Sequence, residues 1–159
     1  MIAESRKQNV ADIPAPPFAF EQNLDGTQDA VRGALAVFLD RLAPLPLSDD
    51  ELGVIELVMA ETLNNIVEHA FRDHPQPGLI RIRCQYHSNN LHLRITDLGD
   101  AMPNSVLPQP KGFDIDVAVE DLPEGGFGWG LIRALTGDVS YARSGPMNIT
   151  TMRVPVGSA

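Results

Sequence analysis

Two lysines, Lys7 and Lys111, are all that this 159-residue chain contains, against 21 acidic residues and a net charge of −9. So acidic a chain lacks the footprint that grips a nucleic-acid backbone, which argues against direct DNA or RNA binding. Any phosphate site must instead be built from backbone amides, a metal ion or arginine. A single cysteine, Cys84, rules out an internal disulfide framework and fits a reducing compartment. No apolar run approaches the ~18–20 residues that span a bilayer. The first residues, MIAESRKQNVADIPAPPF, hold no apolar stretch of a secretory signal. The expectation is a cytoplasmic protein with no membrane partner.

What is present suffices for one domain. Hydrophobic residues make up 43% of the chain, enough for a core. Residues 1–17 are polar and then proline-rich, and read as a flexible arm; residues 18–156 read as the folded domain. FAFEQNL is a strand by its alternation. Asp25 and Thr27 can start a helix whose Ala30, Val31, Ala34, Leu35, Phe38, Leu39 and Leu42 recur at helical spacing. Ser48 and Glu51 form a capping box for a second helix predicted from about Asp49 to Arg72, which Pro75 and Pro77 prevent from continuing. LIRIRCQY and LHLRITD alternate with period two around HSNN, the pattern of a hairpin. Residues 100–125 carry no sustained period and read as a lid. A short helix, LIRALTG, follows with Gly137 as its C-cap, then two closing strands. This order predicts an α+β fold: a two-layer α/β sandwich, helices on one face of a mixed, mostly antiparallel sheet.

Three features carry chemistry. On the second helix Glu61, Asn65 and His69 stand at i, i+4 and i+8 and share a ridge, beside a buried stripe of Leu52, Ile55, Met59, Leu63, Ile66 and Ala70. A solvated helix face is the plain alternative. Two adjacent asparagines, Asn64 and Asn65, weigh against it, because Asn is a poor helix former. An amide oxygen is a hard neutral ligand suited to magnesium, and a carboxylate one turn earlier can accept a hydroxyl proton. Asp97 is in phase with Leu91, Leu93 and Ile95, so a carboxylate ends an apolar row and needs a donor. The exocyclic amine of adenine is such a donor, and Gly99 lets the backbone turn close to a flat ring. Gly126, Gly128 and Gly130 open the last helix, where free amides and the positive dipole end form an anion cradle. The stretch is neither a P-loop nor a dinucleotide fingerprint, since no Lys-Ser/Thr pair follows and no parallel βαβ unit surrounds it.

In order and spacing these segments resemble the ATPase superfamily of gyrase, the large heat-shock chaperone, sensor histidine kinases and the mismatch-repair ATPase, with its Bergerat-type ATP-binding fold. AETLNNIVEHAF is similar to the asparagine box, DLGDA to the first glycine box and GGFGWGLI to the second. Within the superfamily the chain resembles the small anti-sigma-factor serine kinases of bacterial partner-switching systems. The resemblance implies ATP and Mg2+ as cofactors, with Glu61 as general base and Asn65 as the metal ligand. It also implies that Asp97 and Gly99 shape the adenine pocket, that His69 belongs to the binding box, and that Gly126, Gly128 and Gly130 lie against the phosphates. Asn148 falls near the superfamily's threonine beside that Asp, with Thr150 and Thr151 as neighbours in the running. The implied partners are an anti-sigma-factor antagonist, a sigma factor and a possible homodimer mate. A nucleotide-gated binding switch with little kinase activity is the alternative. Ala101 departs from the usual glycine, which implies an altered lid hinge. Arg81, Arg83 and Arg94 are expected on the open sheet face, and Cys84 in the core.

Overall fold

A computed structural model of the chain describes residues 18–103, residue 107 and residues 127–157. The predicted arm 1–17, most of the predicted lid and Gly126 lie outside these residues. The elements run β1 (Phe18–Asp25), α1 (Gln28–Arg41), α2 (Asp49–Asn65), a π turn (Ile66–Ala70), β2 (Leu79–His87), β3 (Asn90–Asp97), α3 (Phe127–Leu135), β4 (Asp138–Ser144) and β5 (Met147–Pro155). The fold is the expected α+β sandwich, with three helices against one five-stranded sheet among the described residues.

The predicted caps are in place. Thr27 Oγ1 accepts from the Ala30 amide at 3.1 Å. Ser48 and Glu51 exchange bonds of 3.1 and 3.0 Å, side chain to backbone each way. Ser88 and Asn89, both at positive φ, turn the β2–β3 hairpin through the primed geometry that matches strand twist.

Strand order is β1-β2-β3-β5-β4, and every pairing is antiparallel. The expected mixed sheet is thereby corrected, and the reason is topological. Two helices between β1 and β2 return the chain antiparallel. One helix after β3 makes β4 parallel to it, but β5 folds back into the gap between them, so no parallel pair forms among the described residues.

Val31, Ala34 and Phe38 of α1 meet Ile55, Val58, Met59 and Leu63 of α2 above Ile80, Ile82, Leu91, Leu93, Ile95, Met152 and Val154 of the sheet. Burial on α2 is wider than the predicted stripe: Val58 and Thr62 are fully enclosed, because α1 and α3 flank the helix on both sides. The other sheet face is open and carries Arg81, Arg83 and Arg94, as expected.

Two expectations fail locally. The second helix does not stay α-helical to Arg72. It widens after Asn65 into a π turn, closed by the Phe71 amide on the Ile66 carbonyl at 3.3 Å. The Ala70 carbonyl is taken by the Asp100 amide at 2.8 Å, so the segment leaving β3, not continued helix, satisfies this terminus. Gly137 is not a left-handed C-cap: its φ is not positive, and its amide donates to Arg153 O at 2.7 Å on β5.

Cys84 is fully enclosed in the core, as read from the sequence. Burial pushes its thiol up to about 12, with the nearby Arg41 charge pulling weakly the other way. Because only the thiolate attacks, the folded protein should react with an aromatic disulfide reagent at pH 8 at least ~10²-fold more slowly than the urea-unfolded chain. Stopped-flow absorbance in both states checks this; equal rates would contradict the burial.

Candidate functional site

A cavity of about 410 Å³ opens between the end of α2, the end of β3, the start of α3 and the middle of the sheet. Asn65, His69, Asp97 and Asn148 all line it, so four predicted site residues from three distant segments converge on one space. A larger hollow of about 560 Å³ lies on the open sheet face, among Arg83, Arg94 and Arg153, and none of the predicted site residues lines it.

Asn65 is buried at the end of α2. Its relative exposure is 9%, and its Nδ2 has no hydrogen-bond partner among the described residues. A buried amide with an unmet group is costly unless a ligand completes it. Half a rotation exchanges its oxygen and nitrogen, so the group can offer a hard neutral oxygen to a divalent cation. Glu61, one turn earlier and half-buried, stands beside it. Gly128 locks the pair against α3: a Cβ there would lie 2.9 Å from Glu61 Oε2 and 3.3 Å from Asn65 Nδ2. Only glycine brings the first turn of that helix, with its unpaired amides, so close to both side chains. Gly130 is buried further along the same first turns.

Asp97 ends β3 directly opposite Asn148 of β5. The residue is 4% exposed. Oδ1 accepts from the Gly99 amide at 2.9 Å and from Asn148 Nδ2 at 2.9 Å, leaving Oδ2 for an incoming donor. Burial raises the carboxyl above its ordinary value, and the Asn148 bond, the Gly99 amide and the Arg143 charge each draw it back. Gly99 is pressed onto the helix end: a Cβ would stand 2.6 Å from both the Ala70 carbonyl oxygen and its Cβ. That close approach fixes where the strand leaves the sheet.

The register sets the three β5 residues apart. Asn148 pairs with Asp97, whereas Thr150 pairs with Ile95 and lines the cavity one step deeper. Thr151 points to the open face. His69 is exposed on the π turn and reaches Arg72 with its Nδ1 at 3.4 Å, so it forms part of the rim. Trp129, 3% exposed, packs in the core and walls the cavity.

Sequence reasoning missed Tyr141 and Arg143 of β4. Tyr141 OH donates to Asn148 Oδ1 and accepts from the Met102 amide at 3.1 Å. Arg143 Nη1 reaches Gly99 O at 2.8 Å and Asn148 Oδ1 at 3.0 Å. Their alternation on β4 was visible, but not the register that sets them beside Asn148.

Known proteins similar to this chain include bacterial serine-protein kinases. The serine-protein kinase RsbW of Bacillus thuringiensis is 30% identical over 101 residues, 63% of this chain and 62% of that protein. The serine-protein kinase RsbW of Staphylococcus aureus is 29% identical over 98 residues, 60% of this chain and 62% of that protein. The chain thus spans about 62% of the length of the curated relatives it matches. Its fold superposes on the crystal structure of the RsbU and RsbW domains of a Mycobacterium tuberculosis protein with a TM-score of 0.63 at 18% identity, covering 92% of this chain and 34% of that one. Residues 24–154 match the family described as the histidine kinase-like ATPase domain. Matched over most of its length, the chain belongs to the histidine kinase-like ATPase domain family.

Proposed function

We propose that this protein is an ATP-dependent serine kinase of a partner-switching pair, transferring the γ-phosphoryl group of ATP to a serine of a small anti-sigma-factor antagonist and otherwise sequestering a sigma factor. The observation that carries the reading is the meeting of Glu61, Asn65 and Gly128 beside a cavity that Asp97 closes. A carboxylate, an unmet amide and free helix amides are what phosphoryl transfer asks of a protein lacking a phosphate-binding lysine.

Asp97 Oδ2 accepts a hydrogen from the adenine amine. The amides at the start of α3 receive the phosphate oxygens. Glu61 takes the proton of the serine hydroxyl as the serine oxygen bonds to the γ-phosphorus and the bond to the β-phosphate oxygen breaks, releasing ADP. Asn65 would hold Mg2+, which when bound neutralises charge on the phosphates. One amide is an incomplete set for an ion that prefers six oxygens; phosphate and water would supply the remainder.

The test is label transfer from γ-labelled ATP with magnesium to an antagonist of this class and to its serine-to-alanine variant. Label is expected on the first and not on the second. Asn65→Ala should weaken magnesium-dependent ATP binding at least ~10-fold while leaving magnesium-free binding little changed, since it removes only the ion's amide ligand. Label on both acceptors, or none with the wild-type enzyme, would refute the kinase reading.

A further inference from the structure

We propose that Tyr141 and Arg143, on the edge strand β4, are positioning residues that lock the Asn148 amide in one orientation and thereby aim Asp97 at the nucleobase. The inference rests on the reading of Asp97 as the group that receives the adenine amine.

The case is one of hydrogen-bond direction. Asn148 Oδ1 faces two donors, Tyr141 OH and Arg143 Nη1. A guanidinium has no acceptor, so this end of the amide must be the oxygen. The Tyr141 oxygen already accepts from the Met102 amide at 3.1 Å, which leaves its proton to be given to Asn148. Asn148 Nδ2 therefore points the other way. There it meets three acceptors: Asp97 Oδ1 at 2.9 Å, Asp100 O at 2.9 Å and Gly99 O at 3.3 Å. Turning the amide over would set an oxygen against these three acceptors and an NH2 against the two donors. The network thus has one sense, running from the Met102 amide through Tyr141 and Asn148 to the Asp97 carboxylate, and such chains reinforce each other.

The consequence falls on Asp97. With Nδ2 of Asn148 fixed, Oδ1 of Asp97 is committed to it and to the Gly99 amide. Oδ2 is left as the acceptor for the base. Without the two β4 donors the orientation of the Asn148 amide would rest on the three acceptors alone, its oxygen would lose both partners, and the side chain would be held less firmly against the Asp97 carboxylate. Arg143 adds a second hold through Gly99 O at 2.8 Å, on the residue pressed against the helix end at Ala70. Strand register makes this possible: Asn148 pairs with Asp97 on one side and Arg143 on the other, and Tyr141 pairs with Thr150 two residues along.

The experiment compares two ligands by calorimetry: ATP, and purine ribonucleoside triphosphate, which lacks the 6-amino group. Wild type should prefer ATP by about 10-fold, the worth of a good hydrogen bond to a charged acceptor. In Tyr141→Phe the preference should fall to about 3-fold, and in Tyr141→Phe with Arg143→Met to below about 2-fold. The loss should come from weaker ATP binding, with affinity for the purine analogue unchanged within about 3-fold. Equal weakening of both ligands would mean that the two residues merely support the fold, and unchanged ATP preference would mean that they do not orient Asp97; either overturns the proposal. Wild type that binds both ligands equally, or neither, overturns it too, and shows that the fault lies in the assignment of Asp97 itself. Should the double variant melt below the assay temperature, Tyr141→Phe alone carries the test, since it deletes one oxygen from an edge strand.

Discussion

Glu61→Gln is expected to bind ATP within about threefold of wild type and to transfer phosphate ~10²- to 10⁴-fold more slowly, the range that a positioned general base supplies. The substitution keeps shape and helix propensity, so α2 is not disturbed. Glu61 is half-buried against Gly128, where a Cβ would already meet its Oε2 at 2.9 Å. A neutral amide fits the same space but cannot take the serine proton. Asn65 and Asp97, which we assign to the ion and the base, keep their contacts. Binding is read by calorimetry and transfer by single-turnover label incorporation, so that slow product release does not hide the chemical step. Wild-type transfer by this variant would remove Glu61 from the chemistry. If the variant still exchanged its protein partners on nucleotide binding while wild type transferred no label, the nucleotide-gated switch would be the better account.

Much of this could be read from residues alone because the signals were local. Thr27 and the Ser48–Glu51 box mark helix starts by side-chain chemistry, and both caps form. Period-two alternation put Cys84 with Ile80 and Ile82 and placed Asp97 in the row of Ile95, and all are enclosed. What failed required long-range knowledge. The π turn at Ile66–Ala70 is set by the Asp100 amide, 30 residues on, taking the Ala70 carbonyl. Gly137 looked like a cap by position, yet it donates to Arg153 across the sheet. The choice among Asn148, Thr150 and Thr151 needed the β3–β5 register, which no local pattern encodes. Tyr141 and Arg143 were invisible for the same reason: their meaning depends on Asn148 lying between β4 and Asp97.

The base pocket makes the second large prediction. In Asp97→Asn the Gly99 amide and Asn148 Nδ2, both donors at 2.9 Å from Oδ1, will hold the new side chain's oxygen where Oδ1 now stands. Its NH2 must then occupy the place of Oδ2. An acceptor for the adenine amine becomes a donor facing a donor, and two buried donors without a partner cost about 1–3 kcal/mol. ATP affinity should fall about 10- to 100-fold. A 6-oxo purine offers an acceptor at the same position, so ITP should lose little or gain, and the preference of wild type for ATP over ITP should invert. Simple loss of packing would weaken both nucleotides alike, because the amide is isosteric with the carboxylate it replaces. Competition calorimetry with ATP and ITP reads the ratio directly. Should Asp97→Asn keep the wild-type ratio, the carboxylate is not what the base meets, and the cavity holds its ligand in some other pose.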